Sequence, residues 1–197
     1  MKQHILFVTT NKGKVKTLRA KIPKDKFIVS QKSLKLPEVQ AKNVELVAKF
    51  KAQYAFNILK RPVLVQDSSF HIHALGGFPG PHVKYVNETL GPHGILRLME
   101  GVTQRECHFE HALAYATSKQ EIYIFKKNIT IGRIAYYVDN NNFSNAWSDL
   151  WKIYIPPWSD LPLTSIPKTE FDKHNKEDDS KSEFAKFVNW LNSKYPK

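Results

Sequence analysis

The sequence predicts an α/β fold, and three observations support this prediction. The first third of the chain alternates strand-like runs with helical patterns. Three consecutive strand-like runs follow in the middle of the chain, which is typical of antiparallel neighbours. The 197 residues are 42% hydrophobic, which is enough to build a core. A chain that is disordered throughout is therefore excluded.

The N-terminal elements follow from residue type and spacing. Residues 5–9 are β-branched, aromatic or apolar and predict a strand, which ends in a small polar turn. Val15, Leu18 and Ile22 then recur at helical spacing, and residues 27–29 predict a second strand. A long helix follows, whose apolar face consists of Val44, Val47, Ala48, Ala52, Ala55 and Leu59.

The middle of the chain changes from helical to strand patterns. Residues 63–65 predict a buried strand, residues 70–74 alternate as in a half-exposed strand, and residues 75–81 form a loop rich in Gly and Pro. Helices are expected at 83–90 and 95–99. The three strand-like runs after them are 107–116, 121–125 and 129–138.

The C-terminal third contains a short predicted strand, a proline-rich segment and a final helix. The strand is at 153–155, and the prolines of 155–167 exclude a regular helix there. Ser180 and Glu183 form a capping-box pattern ahead of the last helix. The apolar stripe of that helix consists of Phe184, Phe187, Val188 and Leu191.

The charge and the apolar runs limit the class of protein. Lys and Arg number 30 against 18 Asp and Glu, a net charge of +12, which predicts an anionic partner and allows nonspecific affinity for nucleic acid. The apolar runs are too short to span a membrane, and no cleavable leader is recognisable, so we expect a cytoplasmic protein. Cys107 is the single cysteine, which excludes an intramolecular disulfide and predicts a core position.

Two groups of polar residues suggest a phosphate and a metal site. Thr9, Asn11 and Lys14 surround the start of the first helix, where backbone amides bind anions; the alternative is that Thr10 or Asn11 only caps the helix. Glu38 in a loop and Asp67 at a strand end suggest a divalent cation, usually Mg²⁺. The alternatives are an exposed loop charge for Glu38 and an Asx-turn for Asp67.

Two further features have weaker functional interpretations. The glycines of 76–80 would allow close approach of a flat ligand or simply form a turn. His71 and His73 share one strand face, but no third ligand has metal-ligand spacing. We therefore assign them no metal and expect a solvated strand face.

Four ordered motifs resemble the inosine triphosphate pyrophosphatase (Ham1) family, and most closely its archaeal branch. The likeness continues through Lys84 to about residue 134. The motifs are residues 7–14 (Phe-Val-Thr-Thr-Asn-Lys-Gly-Lys), 36–40 (Leu-Pro-Glu-Val-Gln), 62–68 (Pro-Val-Leu-Val-Gln-Asp-Ser) and 74–81 (Ala-Leu-Gly-Gly-Phe-Pro-Gly-Pro).

This resemblance implies a fold and an activity. The expected fold is a single domain over residues 1–197, with a mixed elongated central sheet flanked by helices, two lobes around a cleft, and residues 107–138 as the approximate β-rich lobe. The expected protein is a homodimer that uses Mg²⁺, with Mn²⁺ as a substitute. It would cleave ITP, dITP or XTP to the monophosphate and pyrophosphate.

The resemblance also assigns roles to individual residues. Asp67 would be catalytic and, with Glu38, would bind the metal. The matching substrate-binding residues are Thr9, Asn11, Lys14, Lys84, Trp147, Asp149, Lys176, Ser180 and Lys181.

The chain departs from the family pattern in its metal and base-binding segments. Gln66 replaces a second acidic residue, and Trp147-Ser148-Asp149 only partly matches the base-recognition segment. Lys176 aligns with a family lysine, but Ser180-Lys181-Ser182 stands where the family has Ser-His-Arg. Altered base specificity is expected, and the alternative function is a catalytically weakened homologue that binds nucleotides or nucleic acid.

Overall fold

The computed structural model describes residues 2–41, 43–127, 129–143, 146–177 and 179–196. It confirms the predicted α/β class, with a central mixed sheet. The strands are β1 (Gln3–Val8), β2 (Phe27–Lys32), β3 (Val63–Ile72), β4 (Pro79–Gly80), β5 (Glu106–Ala116), β6 (Ile122–Lys126), β7 (Ile131–Ile134) and β8 (Tyr154–Ile155). The α-helices are α1 (Lys12–Lys21), α2 (Val44–Leu59), α3 (Val83–Thr89), α4 (Gly91–Leu98), α5 (Lys168–Glu177) and α6 (Glu183–Lys194).

The chain divides into two compact units. Unit 1 consists of residues 1–67, 111–128 and 179–197, and unit 2 consists of residues 68–110 and 129–178. The segment 107–138 therefore contributes to both units. Among the described residues, no helix is long and apolar enough to cross a membrane.

Unit 1 places helices on both faces of its strands. β1 runs parallel to β2 and to β3, and β6 runs antiparallel to β5. Alternate residues of β1 face opposite sides, so Leu6 and Val8 join the core under α2. Phe7 points the other way and meets Phe184 of α6 edge-to-face. β1 therefore packs against α2 on one face and against α6 on the other.

Unit 2 has its own hydrophobic core. β4 pairs with the end of β3, and β7 lies antiparallel to both β5 and β8. Cys107 is fully buried, which confirms its predicted core position. The main members of this core are Phe70, Ile72, Val86, Ile95, Met99, Cys107, Ile134, Leu150 and Ile153.

Arg105 connects distant parts of unit 2. Its buried guanidinium donates hydrogen bonds to the carbonyl oxygens of Met99, Val102, Ile134 and Ala135. The guanidinium also lies 4.3 Å from the centre of the Tyr136 ring. One side chain thus satisfies carbonyl oxygens near it in the sequence and also that of Ala135, which is 30 residues further along the chain.

Several predicted boundaries were wrong for identifiable reasons. β3 is one continuous strand that ends at Ile72, and the next three residues form a 3₁₀ turn. β7 is shorter than the predicted 129–138. Helix α5 was not predicted, because Phe171 is its only large apolar residue and a single apolar residue shows no period.

Candidate active site

Glu38 and Asp67 converge on one lysine in unit 1. The Lys51 Nζ donates to Glu38 Oε2 at 2.8 Å and to Asp67 Oδ2 at 3.0 Å. Lys51 projects from the buried face of α2, Asp67 lies on β3, and Glu38 belongs to the loop between β2 and α2. The two carboxylates that the sequence singled out are therefore brought together by a third residue.

The environment of Lys51 favours its charged form. Burial alone would lower the pKa of the ammonium, but the neighbouring Asp67 and Glu38 carboxylates together raise the pKa above its usual value. The Lys51 side chain is 10% exposed and that of Asp67 is 18% exposed, whereas Glu38 is 61% exposed. Glu38 is thus the carboxylate most open to a ligand from solvent.

The start of α1 is surrounded by Thr9, Asn11 and Lys14. Asn11 is the N-cap, with its Oδ1 accepting from the Lys14 amide at 3.2 Å, and the Thr9 hydroxyl accepts from the Asn11 amide at 3.1 Å. The capping role of Asn11 is therefore confirmed. The Asn11 side-chain NH₂ is a donor that capping does not use, so capping and phosphate binding are compatible.

The charge on Lys14 is less favourable than on an exposed lysine. Burial lowers its pKa, while the Asp67 and Glu183 carboxylates oppose this shift and Lys51 adds to it. Lys14 therefore shares an electrostatic environment with the Glu38–Asp67–Lys51 group.

Gln66 and Glu183 form a buried polar pair beside this group. The Gln66 side-chain NH₂ donates to a Glu183 carboxylate oxygen. The side-chain oxygen of Gln66, Oε1, is buried with no hydrogen-bond partner. Glu183 is 2% exposed, and burial raises its pKa, although Lys127, Lys14 and Gln66 pull it down. A carboxylate from α6 thus lies next to the position where the family pattern places a second acid.

The remaining candidates from unit 2 have different surroundings. Lys84 is exposed on α3. On the same helix, Asn87 donates to the Ser148 hydroxyl at 3.2 Å, which brings α3 next to the Trp147–Asp149 segment. Trp147 is half-buried, with its ring centroid 6.4 Å from that of Trp151, and Asp149 is exposed.

The C-terminal candidates require one correction. Ser180 and Lys181 lie in a 3₁₀ turn, and Ser182 is the N-cap of α6, because its hydroxyl accepts from the Ala185 amide at 3.1 Å. The predicted capping box at Ser180 is therefore wrong by two residues. Lys176 lies within α5, and its side chain is outside the described residues.

Sequence analysis did not identify Lys51 or Glu183 as site residues. Lys51 could have been found, because it stands in the buried stripe of α2 between Val47 and Ala55, where an unpaired lysine is costly. Glu183 carried no comparable signal, since it is 117 residues from Gln66 along the chain.

Comparison with known proteins identifies the family. A family model described as the Ham1 family matches residues 5–176. The chain belongs to the Ham1 family. A relative in Methanosarcina mazei, named dITP/XTP pyrophosphatase, is 39% identical over 132 residues, which cover 67% of this chain and 71% of the relative. A relative of the same name in Methanothermobacter marburgensis is 35% identical over 194 residues and covers 97% of both chains.

Solved structures of Ham1 proteins have the same fold. The Staphylococcus aureus Ham1 protein has a TM-score of 0.77 at 18% identity and covers 98% of this chain and 100% of its own. A HAM1 protein from Coxiella burnetii has a TM-score of 0.75 at 16% identity and covers 98% of both chains. This likeness supports the mixed α/β fold of the Ham1 family.

Proposed function

We propose that this chain hydrolyses nucleoside triphosphates, of the ITP, dITP and XTP class, to the monophosphate and pyrophosphate. The observation that carries the proposal is the convergence of Glu38 and Asp67 on Lys51, with Lys14 in the same electrostatic environment. Carboxylates and lysines in one place suit a polyphosphate and its counter-ion. Relatives that cover most of this chain are named dITP/XTP pyrophosphatase.

Glu38 and Asp67 would hold Mg²⁺, or Mn²⁺ in its place. Both carboxylates already direct an oxygen to one cationic group, and such hard oxygen donors match these ions. When bound, the ion supplies Lewis-acid stabilisation of charge on the phosphoryl oxygens.

The side chains of the chain itself would then have separate roles. Asp67 would accept a proton from the attacking water, whose oxygen forms a bond to phosphorus as the bond to the leaving pyrophosphate breaks. Lys14, with Thr9 and Asn11, would hold the phosphates at the start of α1. Lys51 would orient the Asp67 carboxylate, since it donates directly to Oδ2.

The base and the distal phosphates would be bound by the remaining predicted residues. These are Lys84, Trp147, Asp149, Lys176, Ser180 and Lys181. Because Lys181 and Ser182 replace the family's His and Arg, we expect weaker discrimination against ATP and GTP than the family pattern implies.

A pyrophosphate-release assay tests the proposal. The purified chain is incubated with Mg²⁺ and, separately, ITP, dITP, XTP, dUTP, ATP or GTP, and the nucleotide product and the released phosphate species are identified by chromatography. We expect monophosphate and pyrophosphate in equal amounts, fastest from the hypoxanthine and xanthine nucleotides. Release of inorganic phosphate with a diphosphate product, or no turnover of any nucleotide, would contradict it.

A second candidate is a weakened homologue that only binds nucleotides. The observation that favours it is Gln66, which removes one acidic group beside the proposed metal ligands and leaves a buried carbonyl oxygen without a partner. Tight nucleotide binding by calorimetry with no product formed would support this candidate.

A further inference from the structure

Unit 2 contains a cluster of histidines and glutamates on two neighbouring strands. His71 lies on β3, and His73 follows it in the 3₁₀ turn. Glu106, His108 and Glu110 alternate along β5, the next strand in the sheet. Sequence spacing did not show these further candidate ligands for His71, because they come from another strand.

Three of these side chains surround one point. Glu110 Oε2 is 3.6 Å from His71 Nε2, and Glu110 Oε1 is 3.7 Å from His108 Nε2. One ligand atom from each residue lies within 4.8 Å of the others. These separations are too long for hydrogen bonds, but they fit donors that share a cation at about 2.0–2.2 Å from each. The three side chains are only 15–18% exposed.

A series of contacts determines which ring nitrogen of His108 carries the lone pair. Glu106 Oε2 lies 3.5 Å from His73 Nδ1, and His73 Nε2 lies 2.9 Å from His108 Nδ1. Because a carboxylate only accepts, we assign the His73 proton to Nδ1, so that His73 Nε2 accepts from His108 Nδ1–H. The lone pair of His108 is then on Nε2, which faces Glu110. This arrangement is typical of metal-binding histidines, whose second nitrogen is held by a neighbour.

His71 is positioned by packing on both sides. Its ring stacks on His108 with centroids 4.9 Å apart and an angle of 9° between the planes. On the other side, a Cβ at Gly77 would lie in ordinary contact at 3.5 Å from His71 Nδ1, so the glycine-rich loop passes close to the ring. The Ser69 hydroxyl is 2.9 Å from His71 Nε2, and a metal bond would replace this one hydrogen bond.

The cluster is also partly withdrawn from solvent. Burial lowers the pKa of His71 and of His108, although Glu110 opposes the shift in both. The Glu110 carboxylate lies between the two imidazole rings, so a cation bound there would have oxygen and nitrogen donors on opposite sides.

We propose that unit 2 binds one Zn²⁺ ion through His71 Nε2, His108 Nε2 and the Glu110 carboxylate, with water as the fourth ligand. His73 and Glu106 are positioning residues that hold His108. Two imidazoles and a carboxylate select Zn²⁺ over Mg²⁺, which prefers oxygen ligands alone. None of these residues takes part in the proposed hydrolysis, so the two proposals stand or fall separately.

The test is a zinc titration of the whole 197-residue chain after treatment with a chelator. Competition with a chromophoric zinc indicator measures affinity and stoichiometry, and Co²⁺ in place of Zn²⁺ reports four-coordinate geometry through its visible absorption. We expect one ion per chain. His108→Ala and the isosteric Glu110→Gln should each lower the zinc affinity at least about 100-fold. His73→Phe should cost roughly 10- to 100-fold, because it removes only the support of His108.

Two control variants separate this site from other zinc ligands. His93→Ala removes an exposed histidine of α4, and Asp67→Asn alters the proposed catalytic carboxylate; both should bind zinc as the unmodified protein does. Circular dichroism verifies that each variant is folded. The proposal is overturned if folded His108→Ala and Glu110→Gln keep full affinity, if Asp67→Asn loses it, or if millimolar Mg²⁺ displaces the zinc.

Discussion

The Asp67 carboxylate has two tasks in the proposed mechanism, because it accepts from Lys51 and would also take a proton from water. Asp67→Asn keeps the volume but removes the charge and the basicity. We predict that kcat for pyrophosphate release falls by about 10²–10⁴-fold. Steady-state kinetics with ITP measures the effect, and circular dichroism verifies the fold. Asp25→Asn, an exposed aspartate near β2, is the matched control; a folded Asp67→Asn with ordinary turnover would remove Asp67 from the mechanism.

The buried Glu183 gives a residue-scale prediction about pH. Its pKa is raised by burial, so the folded protein retains a proton that the unfolded chain releases. Stability from this group is therefore present below its ordinary pKa, 4.5, and is lost as the pH rises through the raised value. Glu183→Gln keeps an acceptor for Gln66 and removes the ionisation. We predict that the melting temperature of the variant, relative to the unmodified protein, increases from pH 5 to pH 8.

Thermal unfolding at several pH values checks the Glu183 prediction. Glu100→Gln, at an exposed position, is the control, and its difference from the unmodified protein should not change with pH. A Glu183→Gln difference that stays constant or shrinks as the pH rises would show that the carboxylate is adequately stabilised by Lys127 and Lys14.

The start of α6 gives a prediction at the scale of the element. Ser182 caps the helix, whereas Ser180 lies in the preceding turn. We predict that Ser182→Ala lowers the free energy of unfolding by about 1 kcal/mol, because the Ala185 amide loses its acceptor. Ser180→Ala should leave stability unchanged and raise KM for ITP. Urea denaturation and kinetics of both variants make the comparison; equal destabilisation would contradict the assignment of the cap.

The position of the cap also determines how base recognition is tested. Restoring the family triplet would change Lys181 and Ser182 together, but Ser182→Arg would remove the cap of α6. Lys181→His alone avoids this loss. We predict that it raises the ratio of kcat/KM for ITP over ATP, measured at constant ionic strength. An unchanged ratio would indicate that residues elsewhere read the base.

Elements that are determined by residues close together in the sequence were predictable from it. α1 and its cap follow from Asn11 and the spacing of Val15 and Leu18, and Asp67 was found because it ends a strongly apolar run. In contrast, the site depends on contacts between distant residues. Lys51 meets Glu38 and Asp67 across 13 and 16 residues, and Glu183 meets Gln66 across 117. Neither spacing nor periodicity encodes such pairs, so they required the tertiary structure.

At the scale of the whole molecule, the net charge of +12 predicts salt-dependent binding of polyanions. We predict weak, sequence-independent binding of duplex DNA that weakens at least about tenfold between 50 and 200 mM KCl, because released counterions drive it. Fluorescence anisotropy with two unrelated duplexes measures the effect. Binding that prefers one duplex, or that does not respond to salt, would contradict an electrostatic origin.

The division of the chain into units has a consequence for how the protein can be cut. Unit 1 consists of three stretches of the sequence and unit 2 of two, because residues 111–128 of unit 1 interrupt unit 2. The hydrogen bonds from Arg105 to the carbonyl oxygens of Ile134 and Ala135 join the two stretches of unit 2. No single break in the backbone can therefore release either unit with all of its strands. A gene fragment that ends after residue 110 would lack the carbonyl partners of Arg105 at 134 and 135 and the last strands of both units. Shortened versions of this protein must be made by circular permutation or by joining separate segments, not by truncation from one end.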